Sequence, residues 1–236
     1  MNKRTALGAA SLVAALTLAG CSAGESVDID GADSVDGDVL IAAIGGEPDQ
    51  LDPQRTSSYF AFEVLENVFD TLVAPDENLE MQPALAESWE VSDDQLTWTF
   101  DLRDGVTFHD GSEFTSEDVV YSYRRIIDEQ LANAWKFAAI TDIAAPDDDT
   151  VVITVAQPTP NLLSNLGGFK GMAIVQQENV ESGDITTAPI GTGPFSVTGY
   201  SSGDRITLAA NSDYWGGAPE LAGVEYRFIS EPATAL

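Results

Sequence analysis

The stretch that most constrains the fold, between Pro83 and Asp128, combines a strand pattern with a helix pattern. Hydrophobic side chains first occupy every second position, at Leu96, Trp98, Phe100 and Leu102. This period of two predicts a half-buried strand. Asp-Gly pairs follow at 104–105 and 110–111. They predict turns, because glycine accepts positive φ and aspartate bonds its own backbone.

A helix pattern begins immediately after the second turn. Thr115 is a candidate N-cap, and Asp118 stands three residues later, where a capping box has its acid. Apolar residues then recur at helical spacing, at Val119, Val120, Tyr123, Ile126 and Ile127. The stretch therefore predicts a hairpin followed by an amphipathic helix, and so a chain of mixed α and β structure.

Composition limits the classes of partner. The chain has 236 residues, of which 44% are hydrophobic, enough for a packed core in one large domain or two small ones. Ten Lys and Arg stand against 39 Asp and Glu, which gives a formal net charge of −29. A surface this acidic repels phosphate backbones, so nucleic acid is excluded as a partner.

The first twenty residues have the pattern of an export signal. Lys3 and Arg4 precede a short apolar run, Ala6–Ala19, and Gly20 then precedes Cys21. The run is too short to cross a hydrocarbon core of about 30 Å comfortably. Leu-Ala-Gly-Cys resembles a bacterial lipobox, in which the cysteine is acylated. The alternative is an ordinary signal peptide that happens to end near a cysteine.

Cysteine usage favours the lipoprotein interpretation. Cys21 is the only cysteine, so one molecule cannot form a disulfide or a thiolate metal site from its own residues.

Without residues 1–20, the chain has eight basic and 39 acidic residues, a net charge of −31. Ser22–Asp38 contains six acids, three glycines and no base. Residues 21–38 are therefore predicted to form an acidic flexible tether.

Several segments together resemble the family 5 extracellular solute-binding proteins, the peptide-binding subunits of bacterial ABC importers. The segments, in chain order, are GGEPDQLDPQRTSS, AESWEVSDD, LTWTFDLRDGVTFHDG, FTSEDVVYSYRRI, GTGPFSVTGY and NSDYWGG. The resemblance covers most of the chain from about Val39 onward.

The resemblance implies an α/β fold, a periplasmic-binding-protein-like class II lobe with a mixed sheet and an inserted α+β subdomain. Residues 39–58 and 186–236 are expected to form the core of this first lobe, and residues 59–185 the inserted subdomain. The family continues for about as many residues again, through a second lobe. The chain is therefore expected to be the N-terminal part of such a protein, without its second lobe.

The implied function is that of a binder and not of an enzyme. The expected ligand is a peptide or another small solute, since relatives use nickel chelates, haem and sugars. The expected partners are the membrane permease subunits of an ABC importer, and no cofactor or metal is expected. The protein is predicted to be a monomer held by lipid at the outer face of the cell membrane, or in the periplasm.

Four residues are candidates for contact with the solute. By position in the family, Ser57, Ser58 and Tyr59 line the ligand cleft. An alternative role for either serine is the N-cap of the helix that follows, and both roles are compatible. The family places an aromatic residue near Trp135 against the bound peptide. Plain packing is the equally weighted alternative for Trp135.

The remaining strand patterns predict the sheet of the lobe. A buried strand is expected at Val39–Ala43, a hairpin at Phe195–Ala210, and a last strand at Val224–Ile229. These three segments are predicted to share one mixed sheet. Gly191-Thr-Gly-Pro194 lacks the lysine and the spacing of a phosphate loop. It resembles instead the segment through which the family's chain returns to its first lobe.

Catalysis has few candidate residues. His109 is the only histidine, so a Ser-His-Asp arrangement is not convincing. Its setting in Phe-His-Asp-Gly is typical of a turn. Many carboxylates are present, and a surface-anchored glycoside hydrolase with a carboxylate pair is therefore the rival hypothesis. Nothing in the sequence singles out two of them.

Overall fold

A computed structural model describes residues 37–169 and 171–229. In this part the strands are β1 (Val39–Ile44), β2 (Val73–Pro75), β3 (Met81–Pro83), β4 (Ala86–Val91), β5 (Thr97–Leu102), β6 (Ile140–Asp147), β7 (Thr150–Val155), β8 (Phe195–Ser201), β9 (Arg205–Ala210) and β10 (Gly223–Phe228). The α-helices are α1 (Tyr59–Leu65), α2 (Ser116–Asp128), α3 (Leu162–Gly167) and α4 (Gln177–Ser182), with 3-10 helices at Ala134–Phe137 and Asp184–Thr186.

The predicted mixed sheet is present. Its strand order is β1-β10-β9-β8, with β1 parallel to β10 and the other pairs antiparallel. β8 and β9 form the hairpin expected across Phe195–Ala210. Val39–Ala43 thus shares a sheet with that hairpin and with the last strand, as the sequence predicts.

One expectation about this sheet is wrong. Val39, Leu40 and Ile41 were expected to be buried, but all three are exposed. Within the described residues β1 is an edge strand whose one neighbour is β10, and of the β1 side chains only Ile44 reaches the core. An unbroken apolar run does not distinguish a central strand from an edge strand, which explains the error.

A second, antiparallel sheet has the order β4-β5-β7-β6. The predicted alternation appears in β5, where Trp98, Phe100 and Leu102 are buried. α2 packs on β6 and β7, and its Val119, Tyr123 and Ile126 are buried. The capping box is present, since the Asp118 carboxylate accepts a hydrogen bond of 2.9 Å from the Thr115 backbone N–H.

Two hydrophobic cores lie on either side of the segment 172–175. Met172 and Ile174 belong to the core of the antiparallel sheet, whereas Ala173 and Val175 belong to the core of the mixed sheet. Successive side chains of this segment thus point to opposite cores. The segment therefore joins the two halves of the fold.

The division into 39–58 with 186–236 and 59–185 stays a prediction, but the packing of α1 bears on it. Ala61, Val64 and Leu65 of α1, with Phe69 after it, pack in the core of the mixed sheet. Leu72 and Val73 are the first residues in the other core. By packing, the lobe core therefore extends to about Phe69 and includes α1.

Candidate functional site

The loop before α1 presents the three residues expected in the ligand cleft. Ser58 is the N-cap of α1, and its Oγ accepts from the Ala61 backbone N–H at 3.5 Å. Ser57 is exposed, and Tyr59 is 64% exposed. The capping role is thus real, while Ser57 and Tyr59 remain available to a ligand.

Buried polar contacts hold this loop in place. Asp52 forms an ion pair with Arg125 of α2, and both side chains are almost fully buried. Arg125 Nη1 also donates to Gln54 Oε1 at 3.0 Å. Gln54 Nε2 in turn donates to the backbone carbonyls of Ser122 and Ala173, at 3.2 and 3.0 Å. The loop is therefore fixed to α2 and to the segment between the cores.

A mainly apolar groove of about 470 Å³ lies beyond the C-terminal end of α1. Its wall consists of Glu66, Phe69, Asp70, Thr71, Ala74, Pro75, Ala84, Lys136, Gly167, Gly168 and Phe169. The Phe169 ring meets the Phe62 ring edge-on, with 6.3 Å between centroids. Phe62 lies one helical turn after Tyr59, so α1 links the loop to the groove.

Trp135 directly precedes Lys136, one of the residues that line this groove, in a 3-10 helix. It is 70% exposed, so plain packing does not explain it. The helix is anchored by Phe137, which is buried with its ring centroid 5.1 Å from that of Tyr123. Asn165 Nδ2 donates to the Lys136 carbonyl at 3.0 Å. The indole is thus presented from a fixed backbone, and its contact with a solute stays a prediction.

The groove contains a half-buried carboxylate, Asp70, that the sequence did not indicate. Asp70 accepts from Thr192 Oγ1 and Trp215 Nε1, both at 2.9 Å, and from the Tyr214 hydroxyl at 3.2 Å. Burial raises the pKa of this carboxyl, while the three donors act in the opposite direction. The Arg103 guanidinium lies 4.6 Å from the centre of the Trp215 ring.

Tyr214 and Trp215 have a packing role, since both bond to Asp70 and Trp215 packs against the core of the antiparallel sheet. The sequence did not indicate that Asp70, Phe62 and Phe169 lie at or next to a groove. A helical spacing of three from Tyr59 could have indicated Phe62. Nothing local distinguishes Asp70 from a surface acid.

His109 has a structural setting. Its Nε2 is 2.9 Å from the Gly193 carbonyl, and the Gly191 N–H donates to Nδ1 at 3.2 Å. This pattern requires the neutral ring with its proton on Nε2. Burial lowers the pKa of the imidazole. A Cβ on Gly191 or Gly193 would collide with the Val68 backbone, which accounts for both glycines.

Residues 80–236 match the family described as bacterial extracellular solute-binding proteins, family 5 middle. The chain belongs to this family. Relatives include protein XP55 of Streptomyces lividans, 35% identical over 222 residues, which cover 92% of this chain and 40% of that protein. The chain thus spans less than half the length of this relative.

Solved structures of family 5 relatives have the same fold. MoaA of A. tumefaciens R10, in complex with mannopinic acid, gives a TM-score of 0.80 at 32% identity. The match covers 84% of this chain and 42% of MoaA. DppA of Helicobacter pylori, in complex with the peptide STSA, gives 0.74 at 30% identity and covers 84% and 44%. The expected lobe of a periplasmic-binding-protein-like fold is therefore confirmed.

No helix in residues 37–169 and 171–229 is long and apolar enough to cross a bilayer. These residues also contain no cluster of three or more His, Cys, Asp or Glu side chains that could hold a metal ion. Cys21, the leader and the predicted tether as far as residue 36 lie outside the described residues.

Proposed function

We propose that this family 5 chain is the solute-binding lipoprotein of an ABC importer and captures peptides or similar small solutes outside the membrane. The observation that carries this proposal is an apolar groove together with exposed aromatic side chains on the segments that lead to it: Tyr59 at the start of α1, whose C-terminal end borders the groove, and Trp135 next in sequence to the lining residue Lys136. Tyr59 and Trp135 are both more than half exposed, on segments held by buried contacts. Rigid, exposed aromatics beside a groove are typical of ligand contact.

The proposed ligand residues are Ser57, Ser58, Tyr59 and Trp135. Ser57 and Tyr59 supply a hydroxyl and an aromatic face from the loop, and Trp135 supplies a second aromatic face. Ser58 is the weakest candidate, because its hydroxyl caps α1. The groove offers a volume of about 470 Å³ for an apolar part of the solute.

Peptide is the proposed solute class, as in the peptide complex of DppA, while the complex of MoaA with mannopinic acid indicates that a relative of the same fold binds a different small molecule. The protein is proposed to deliver the bound solute to the permease subunits of the importer. Acylation of Cys21 is proposed to hold the monomeric protein at the outer face of the membrane.

Calorimetry with a synthetic tripeptide and pentapeptide library tests this function. The chain, continued to the length of its relatives, should bind the library saturably and without turnover. Trp135→Ala should weaken binding at least about tenfold, since stacking on an aromatic face and its burial are each worth about 1 kcal/mol or more. Its melting temperature should not fall, because Trp135 is exposed. Hydrolysis of a glycoside panel without peptide binding would favour the rival glycosidase.

A further inference from the structure

The hairpin of β2 and β3 presents an apolar side chain in an unfavourable backbone conformation. Leu79 has φ of +65° and is 78% exposed. Left-handed φ is favourable for glycine and unfavourable for a branched apolar residue, because its Cβ crowds the backbone. Glycine would be the usual residue at this place in a turn. Leu79 therefore stabilises the fold neither by burial of its side chain nor by a favourable backbone conformation.

Hydrogen bonds hold the tip of the hairpin in one conformation. The Asp76 carboxylate accepts from the backbone N–H groups of Asn78 and Glu80, at 2.8 and 2.9 Å. Gln82 Nε2 donates to the same carboxylate at 3.2 Å, and the Leu79 N–H donates to the Asp76 carbonyl at 3.0 Å. The leucine is thus held out from a fixed turn.

The base of the hairpin is equally fixed. Val73 is fully buried, and α3 packs against both strands. Ala74 and Pro75 line the solute groove, so the tip lies just beyond the edge of that groove. A side chain here projects from the lobe beside the proposed solute site.

The charge around Leu79 indicates the chemistry of its partner. Glu77 and Glu80 flank it and are both exposed. The sequence contains no Lys or Arg between Arg55 and Arg103. An apolar side chain flanked by two exposed carboxylates fits an apolar socket with a basic rim.

We propose that the tip 76–80 docks the solute-binding protein onto its permease, with Leu79 inserted into an apolar socket ringed by Lys or Arg. This inference rests on the proposed function, which supplies the permease as partner. The fixed turn keeps the ordering cost of docking low, and the flanking acids steer the encounter.

ATP hydrolysis by the permease complex in liposomes tests the proposal. The complete binding protein is titrated in the presence of an equimolar synthetic tripeptide library, and the protein concentration for half-maximal stimulation is measured. Leu79→Gly should raise this concentration at least tenfold, since burial of a leucine corresponds to roughly one to two factors of ten. Its melting temperature should stay the same or rise, because glycine accepts the positive φ.

Three further proteins sharpen the test. Leu79→Met should retain most of the stimulation, because it keeps an apolar side chain. Glu77→Gln with Glu80→Gln should weaken docking most at low salt, where steering acts. Val91→Ala removes part of another exposed apolar side chain, on β4, and should change nothing.

Each remaining outcome is decisive. An unchanged half-maximal concentration for Leu79→Gly would overturn the docking proposal. An equal loss of tripeptide affinity, measured by calorimetry, would assign Leu79 to the solute site and also overturn it. If the unaltered protein binds tripeptides but stimulates no ATP hydrolysis, the docking proposal fails while solute binding stands. Failure to bind any tripeptide would count against the proposed function itself.

Discussion

Arg125 of α2 and Asp52 of the loop before α1 are joined by two contacts, Nη1–Oδ1 at 3.2 Å and Nη2–Oδ2 at 2.5 Å. Their side chains are only 4% and 1% exposed. The pair connects two segments that are 73 residues apart in the chain. It also fixes the loop from which Ser57 and Tyr59 project, so the solute site depends on it.

Arg125→Met should lower the free energy of unfolding by about 3–5 kcal/mol, because it removes the buried partner of Asp52 and leaves that carboxylate only the more distant Arg55 guanidinium, at 3.6 Å, as a cation. Urea denaturation measures this loss. Arg124→Met is the matched control, since Arg124 pairs with Asp142 at the surface. It should cost about 1 kcal/mol or less. Equal losses for the two variants would show that burial of the Arg125 pair does not matter.

His109 makes stability depend on pH. Burial holds the pKa of the folded imidazole below its ordinary value of 6.5. The unfolded chain therefore takes up a proton first as the pH falls. The contribution of His109 to the free energy of unfolding should be fully present above pH 6.5. Below pH 6.5 this contribution should decline until the pH reaches the lower pKa of the folded imidazole. Protonation would also remove the acceptor for the Gly191 N–H.

His109→Gln should remove this decline between pH 7 and 5, although its stability at pH 7 will be lower. Denaturation of both proteins at several pH values measures the difference. Because the chain has one histidine, its imidazole resonances can be assigned without ambiguity and titrated directly. A measured pKa above 6.5 would reverse the predicted pH dependence.

Local patterns predicted the elements well because their causes are local. The alternation at Trp98, Phe100 and Leu102 reflects the pleat of β5, and the cap at Thr115 needs only Asp118. The mixed sheet, in contrast, joins residues more than 180 positions apart, such as Leu40 and Val224. Its prediction depended on the resemblance to a family.

The candidate site was only partly predictable for the same reason. Ser57 and Tyr59 came from their position in a family pattern. Asp70 becomes recognisable only through Thr192, Tyr214 and Trp215, which are 122 to 145 residues away. The exposure of Val39 to Ile41 depends on the number of strands beside β1, which one sequence does not reveal.

Trp215→Phe should lower the free energy of unfolding by roughly 2 kcal/mol at pH 7, because the half-buried Asp70 carboxylate loses a donor. The pKa of Asp70 is already raised by burial above 3.8, and this variant should raise it further. A raised carboxyl pKa means that stability is lost as the pH increases through it. The loss of unfolding free energy in Trp215→Phe should thus be larger at pH 7 than at pH 4. Trp89→Phe, on β4, should show no such dependence, and a deficit independent of pH would contradict the role of Asp70.

Cys21→Ser tests the lipid anchor. If Cys21 is acylated, the variant should leave the membrane fraction and lose incorporated labelled palmitate. The reason is that a serine at the lipobox position offers no thiol for acylation. Fractionation with labelled palmitate measures both effects. Equal retention of the variant and the unaltered protein in the membrane would refute the lipoprotein interpretation.

Residues 21–236 alone should show no saturable peptide binding at micromolar concentration. Two-lobe binders close around a ligand, so its charged ends and most of its surface leave water together. The described lobe supplies Ser57, Tyr59 and Trp135 on one side. Each missing charge-assisted hydrogen bond is worth about 1.5–3 kcal/mol, and each 1.4 kcal/mol is a factor of ten in affinity.

Loss of two or three such bonds should weaken a micromolar binder to millimolar affinity or worse. Calorimetry against the same peptide library, with the chain continued to the length of its relatives as the control, measures this. The isolated lobe should also adsorb a hydrophobic dye, since its groove is mainly apolar and open. Micromolar binding by residues 21–236 alone would mean that a single wall holds the peptide, and closure would then not be the source of affinity.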